Sequence, residues 1–360
     1  MSRSFSKRSG SRRAVRRSVE ELVTLQDLEG RAVSLEAADG EVGSGVFPLV
    51  VKPAVEGVDL ASWGQAHRQR VHDWLHRHGS VLFTGFDVPA VESFEQVVTA
   101  VTGEMLDYTE RAAPRKEVSS KVFTSTEFPA DQSIPMHHEM SYSHNWPSKL
   151  WFYCVIAAES GGATPLVDDR GLLERIDPEL RQRFLDKKVM YVRNYGEGVD
   201  LPWQIAFQTE DKAQVEAYCR AAGATVEWRD RDRLRTRSVR QVTATHPVTG
   251  QRVWFNHAHM FHVSNLGETV RRALLDQFEP DELPRNAFYG DGSPIADEDL
   301  EAIRALYRES AVRFSWKPGD VLLVDNFLAS HGRDPFSGAR RIVVSMADLY
   351  TDPEAPGAAA

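Results

Sequence analysis

The sequence predicts a mainly β fold with helical insertions, an α+β arrangement organised as a jelly roll. Three observations carry this. Short runs rich in β-branched and aromatic residues recur along the chain, among them Lys149 to Ala158 (KLWFYCVIAA), Asp320 to Asp325 and Arg341 to Met346. Helical periodicity falls between such runs, in insertions. Pairing two sheets is one way for many short strands to escape exposed edges.

In chain order, residues 61–78 read as a helix, with Val71, Trp74, Leu75 and His78 on one face and Gly79 at the C-cap position. A short buried strand follows at 81–86 and a second helix at 91–102. From residue 120 the character turns to β. The strand Lys149 to Ala158 runs into the turn Glu159-Ser-Gly-Gly162 and a short strand at 164–167. Helices are expected at 171–186, 211–222 and 296–310. Strands are expected at 188–194, 224–228, 239–246 and 251–256, then Asp320 to Asp325, and last Arg341 to Met346. With no repeat and no long linker, residues 20–350 read as one domain. Residues 1–19 read as a disordered basic tail and 351–360 as a fraying C-terminal tail.

Composition bounds the function. The 360 residues are 42% apolar and 26% charged, which excludes collagen, a coiled coil and wholesale disorder. No apolar run is long enough for a membrane-spanning helix. Seven of the 43 basic residues lie in the first 17 positions, leaving 36 against 52 acidic residues, a net of −16 for the rest. So acidic a body repels phosphates and does not suit a nucleic-acid groove. The tail shares the composition of a transit peptide. A twin-arginine export signal is contradicted by Glu20, Glu21, Asp27 and Glu29 after Arg16-Arg17, and an idle extension is the preferred reading. Two cysteines, Cys154 and Cys219, make neither a disulfide scaffold nor a thiolate zinc site, and suit a cytoplasmic protein.

Twelve histidines make a metal the first chemistry to test. In Met136-His137-His138-Glu139-Met140, residues two apart on an extended segment share a side, so His137 and Glu139 can converge while His138 faces away. His331, just beyond an apolar strand, would complete two imidazoles and one carboxylate, the facial triad of non-haem iron oxygenases, with three positions left open. The single His-x-acid triplet is weak evidence alone. Arg341 heads an otherwise apolar strand and could grip a carboxylate at two points, with Arg340 pointing the other way. Alternatively, Arg341 makes an edge-strand salt bridge. The run His257-Ala-His259-Met-Phe-His262 lacks the further acid and histidine of a cupin site and reads as a substrate-facing loop. The histidines at 67, 72, 76 and 78 read as a solvated or packed helix face. Tyr142, Asn145, Arg193, Trp203 and Phe255 are candidate pocket residues, each as readily packing.

His137-His-Glu-Met-Ser-Tyr142, Gly161-Gly-Ala-Thr-Pro-Leu166, Asp325-Asn326 leading to His331-Gly-Arg333, and Arg340-Arg341 together resemble the taurine dioxygenase (TauD/TfdA) family of iron(II)- and 2-oxoglutarate-dependent oxygenases. Tyr191-Val-Arg-Asn-Tyr195, Val253-Trp-Phe-Asn256, Tyr289-Gly-Asp-Gly292 and Trp316-Lys-Pro-Gly-Asp320 are similar to its SyrP-like branch of amino-acid hydroxylases. The similarity spans roughly residues 80–350. It implies a double-stranded β-helix, with His137, Glu139 and His331 as iron ligands and Thr164 and Arg341 on the distal carboxylate of 2-oxoglutarate. Some relatives carry a second arginine four positions beyond the co-substrate arginine. Ser345 stands there, which speaks against a sulfonate substrate. Halogenating relatives have a small residue where Glu139 stands, so hydroxylation is implied over chlorination, with desaturation and epoxidation left open. Succinate and carbon dioxide would be released. The implied substrate is a small molecule, an amino acid or its derivative, free or on a peptidyl carrier protein. Tyr142, Asn145, Arg193 and Phe255 are the candidates to line its site. Another carboxylic metabolite is the alternative, and a jelly-roll binding protein without turnover a distant one. The sequence leaves self-association open.

Overall fold

The computed structural model describes residues 22–33, 46–107, 117–119, 121–125, 128–196 and 200–353. The basic tail and the last residues of the chain lie outside these. The chain is sheet-rich and mixed α+β. Its largest sheet has eight strands in the order Val23–Gln26, Leu49–Pro53, Ser80–Phe83, Val321–Asp325, Asn145–Ile156, Arg341–Thr351, Val122–Thr124 and Glu117–Ser119. One neighbouring pair, Leu49–Pro53 with Ser80–Phe83, is parallel, and the others are antiparallel. A three-stranded sheet of Ile134–His137, Ala329–Arg333 and Leu166–Asp168 carries the histidines of interest.

The central strands of the large sheet are apolar on both faces because both faces are covered. Trp151, Tyr153, Val321, Leu323 and Val343 pack in one cluster with residues of the helices Leu60–Ala66, Arg68–His78 and Val91–Val101. Leu150, Phe152, Cys154, Leu322, Val324, Ile342, Val344 and Met346 pack in the other, together with Met136 and Leu166 of the small sheet. The period of two along each strand sorts these sets, and the second faces the candidate site.

The insertions form a sheet of four strands, in the order Ala224–Arg229, Arg233–Arg240, Val189–Tyr195 and Arg285–Tyr289. Part of it covers a third apolar cluster around Tyr195, Trp203, Phe207 and Leu234.

Most expected elements form, including the helix stop at Gly79 with φ 68°. The stretch 171–186 splits into Leu172–Arg175 and Pro178–Lys187, where Asp177 caps the second helix and Pro178 takes its first position. The expected strand 239–246 is instead the end of Arg233–Arg240 followed by Thr243–Thr245. Arg285–Tyr289 and the helix Glu268–Leu275 carried no recognised signal. Among the described residues, no helix is long and apolar enough to cross a membrane.

Candidate functional site

His137 and His331 are brought together by sheet register. They are direct partners across the antiparallel pair Ile134–His137 and Ala329–Arg333, and His331 pairs on its other side with Leu166. Opposed side chains on one sheet face are close neighbours, and the two imidazole centroids lie 4.3 Å apart. Glu139 joins them from beyond the strand's end. The strand stops at His137, and Glu139 lies just beyond its end, where a turn with Met140 at φ 59° begins. The ligand atoms of His137, Glu139 and His331 all lie within 4.8 Å of one another. As expected, His138 faces away.

Hydrogen bonds around the triad prepare it to coordinate. The His137 Nδ1–H donates to the Pro135 carbonyl at 2.8 Å, so its Nε2 keeps the lone pair a metal needs. Asn326 clamps the Glu139 backbone. Its Oδ1 accepts from the Glu139 N–H at 2.8 Å, and its Nδ2 donates to the carbonyls of Glu139 at 2.9 Å and Pro147 at 2.8 Å. The Asn326 carbonyl accepts from His138 Nδ1 at 2.7 Å. Behind it, Asp169 accepts from the Ser330 N–H at 2.6 Å, next to His331. The donor set and its supports therefore fit a ferrous ion.

A second group, His76, His246 and Asp325, has its ligand atoms equally close. Here the hydrogen bonds argue the other way. His246 Nδ1 accepts from the backbone N–H groups of Val248 and Thr249, which puts the ring proton on Nε2, 3.0 Å from Asp325 Oδ2. Asp325 Oδ1 accepts from the N–H groups of Phe327 and Leu328. These lone pairs are spent holding the loop before His331.

From the two histidines a pocket runs between the sheets. It is lined by Ser125, Thr164, Arg333 and Arg340, with apolar walls of Ile134, Phe152, Ile342 and Val344. Its arginines, Arg333 and Arg340, do not include the expected Arg341. Arg341 is exposed, opposite half-exposed Ile156, whereas Arg340 shares the face of Ile342 and Val344. Alternation along the strand decides this. The Arg340 Nε–H donates to the Gly162 carbonyl at 2.9 Å, which leaves its terminal nitrogens available to the pocket. A Cβ on Gly162 would stand 3.0 Å from Arg340 Cδ and 2.9 Å from Ala158 Cβ, and the residue has φ 69°. Only glycine lets the guanidinium pass. Burial, and then the charge of Arg333, push the Arg340 pKa down to about 10. Burial disfavours this cation, and an anion beside it would offset that cost.

The other expected residues divide. Thr164 is buried and lines the pocket. Tyr142 is buried, with its ring edge-on to His257, whose own ring is 5.6 Å from that of His137. The Arg193 guanidinium is buried between the rings of Tyr142 and Tyr195. Phe255 is a correction. It packs on His138, Trp146 and Phe327 in the core and does not line the pocket of the triad. Asn145 begins the long strand opposite Thr351, away from that pocket, and Trp203 belongs to the third cluster. His257, His259 and His262 are buried on the helix Ala258–Phe261 and at its ends, not on a substrate-facing loop. Burial first, and then the imidazoles crowded around it, hold the His257 pKa well below the ordinary histidine value. Ser125, Arg333 and Arg340 were missed as pocket residues. For Arg340 the signal was its parity with Ile342 and Val344.

Residues 45–347 match the model of the family described as taurine catabolism dioxygenase TauD, TfdA family. The chain belongs to the TauD/TfdA family. It is 42% identical over 278 residues to the dapdiamide synthesis protein DdaC of Enterobacter agglomerans, covering 77% of this chain and 84% of that one. It is 33% identical over 324 residues to a clavaminate synthase-like protein of Arabidopsis thaliana, covering 83% and 93%. In fold it is similar to PvcB of Pseudomonas aeruginosa, with a TM-score of 0.53 at 16% identity over 92% of this chain and 94% of that one. This TauD/TfdA member is thus a 2-oxoglutarate-dependent dioxygenase that uses iron(II).

Proposed function

We propose that this dioxygenase hydroxylates an unactivated C–H bond of an amino acid or amino-acid derivative, free or carrier-tethered, in a biosynthetic pathway. The observation that carries the site assignment is one pocket joining His137 and His331 to Arg340 and Thr164. His137, Glu139 and His331 would hold the iron. Arg340 and Thr164 would hold the far carboxylate of 2-oxoglutarate. The two sheets that enclose the pocket read as a double-stranded β-helix.

Bound iron would supply dioxygen activation, coupled to decarboxylation of 2-oxoglutarate to succinate. The chain's own residues do the rest. Two neutral imidazoles and one carboxylate offset a single charge of the cation. Arg340 fixes which end of the diacid faces the metal. Ile134, Phe152, Ile342 and Val344 exclude water and so strengthen each charge interaction in the pocket. The similarity to a dapdiamide synthesis protein supports a biosynthetic role. The buried cysteines Cys154 and Cys219, neither of them in a disulfide, suit a reducing cytoplasm.

Anaerobic addition of iron(II) and 2-oxoglutarate should give a visible charge-transfer band that His137→Ala and Glu139→Ala abolish. A band that survives both variants would overturn the ligand assignment. Screening free and carrier-bound amino acids for substrate-stimulated succinate formation then tests the substrate class. Stimulation by other carboxylic acids alone would refute the amino-acid reading.

A further inference from the structure

Trp316 does not line the pocket, yet it touches Thr164, which gives the pocket a buried neutral donor. Its indole Nε1–H donates to Thr164 Oγ1 at 3.0 Å. An indole N–H can only donate, so Thr164 must accept here. The hydroxyl's own proton is then turned to another partner. Thr164 is β-branched and 3% exposed, so its Oγ1 has little freedom to swing elsewhere.

Trp316 is itself well held. It is 7% exposed and packs edge-on against Phe314 at 4.8 Å. The turn that follows is tied to the long central strand. Asp320 Oδ2 accepts from the Lys317 N–H at 2.8 Å, the Gly319 N–H donates to the Cys154 carbonyl, and the Cys154 N–H donates to the Asp320 carbonyl, both at 2.9 Å. A donor mounted this rigidly can set the direction of its acceptor.

We propose that Trp316 is a positioning residue for 2-oxoglutarate. By occupying a lone pair of Thr164 Oγ1, it commits the threonine proton to the distal carboxylate gripped by Arg340. Thr164 becomes a one-way donor, matched to a group that only accepts. This rests on the reading that Thr164 and Arg340 hold the co-substrate.

The test uses the full chain loaded with manganese(II), which binds without turnover, and titrates 2-oxoglutarate calorimetrically. Trp316→Phe keeps the ring and removes the N–H. It should weaken 2-oxoglutarate binding about 5- to 10-fold, the range for one neutral hydrogen bond. Manganese affinity and melting temperature should stay close to the parent's. Thr164→Val should weaken binding comparably, and adding Trp316→Phe to it should cost nothing more, since the partner is gone. Trp316→His, which keeps a ring N–H, should recover part of the affinity and serves if the phenylalanine variant folds poorly. Unchanged affinity in Trp316→Phe, or a full independent loss on top of Thr164→Val, overturns the role of Trp316 and leaves the pocket reading standing. Unchanged affinity in Thr164→Val refutes the pocket reading itself.

Discussion

Arg340 and Arg341 are adjacent and chemically identical, so replacing each by alanine isolates position on the strand. The Arg340 guanidinium reaches the pocket beside Thr164 and Arg333, with one N–H already committed to Gly162. Truncating one partner of a buried, hydrogen-bonded charge pair costs about 2–5 kcal/mol. Arg333 remains nearby and keeps the pocket positive, although its terminal nitrogens are committed to the carbonyls of Phe128, Pro129 and Gln132. The lower part of the range therefore applies, about 2–3 kcal/mol, or roughly 30- to 150-fold in affinity for 2-oxoglutarate. Arg341 is exposed, where substitutions stay within about 0.5 kcal/mol, or twofold. Anaerobic titration of the iron-loaded protein gives the dissociation constants, and the apparent KM for 2-oxoglutarate in succinate release gives a second readout. A large loss in Arg341→Ala with little change in Arg340→Ala would refute the assignment and the strand parity behind it.

Asn326→Ala removes the three hydrogen bonds that fix the backbone of Glu139 and Pro147, and should weaken manganese(II) binding about 10- to 100-fold by calorimetry. Metal affinity equal to the parent's would show that the turn holds without the clamp. Gly162→Ala forces a Cβ against Arg340 and Ala158 at φ 69°, so 2-oxoglutarate affinity should fall while metal affinity is kept, and a loss of both would contradict a local effect. Burial, opposed by the charge of Asp297, leaves the His262 pKa at about 4 against 6.5 in an unfolded chain. Below pH 6.5 the unfolded state takes up a proton the folded state refuses, so this histidine's contribution is complete above 6.5, falls between 6.5 and 4, and levels off below. The full loss is about 3 kcal/mol. Urea melts across that window should show a smaller slope in His262→Gln than in the parent.

Much of the candidate site was legible because its residue types, taken together, are rare and stand in order along the chain. Not all of the geometry behind them was. The convergence of His137 and Glu139 was legible, but the register that sets His331 opposite His137 across two strands far apart in sequence was not. The choice between Arg340 and Arg341 was hidden because the strand is apolar on both faces. Val343 packs towards the helices while Ile342 and Val344 face the site, so hydrophobicity could not tell inside from inside. Phe255 misled for a related reason, since an aromatic beside a histidine run reads alike in a pocket wall and in a core. The strand Arg233–Arg240 was missed at its start because Arg235 and Arg237, answered by Glu227 and Asp281 from elsewhere in the chain, resemble a solvated loop.

The pairing of His137 with His331 across two strands has a consequence for how this enzyme can vary. Losing a single residue between 134 and 136 would leave the His-His-Glu string untouched to any reader of the text. It would also rotate the whole segment by one step of the pleat, turning His138 toward the cavity and His137 into the packing behind it. Inheritance of the motif and inheritance of the metal are separate events, and a descendant could keep every letter of the first while surrendering the second.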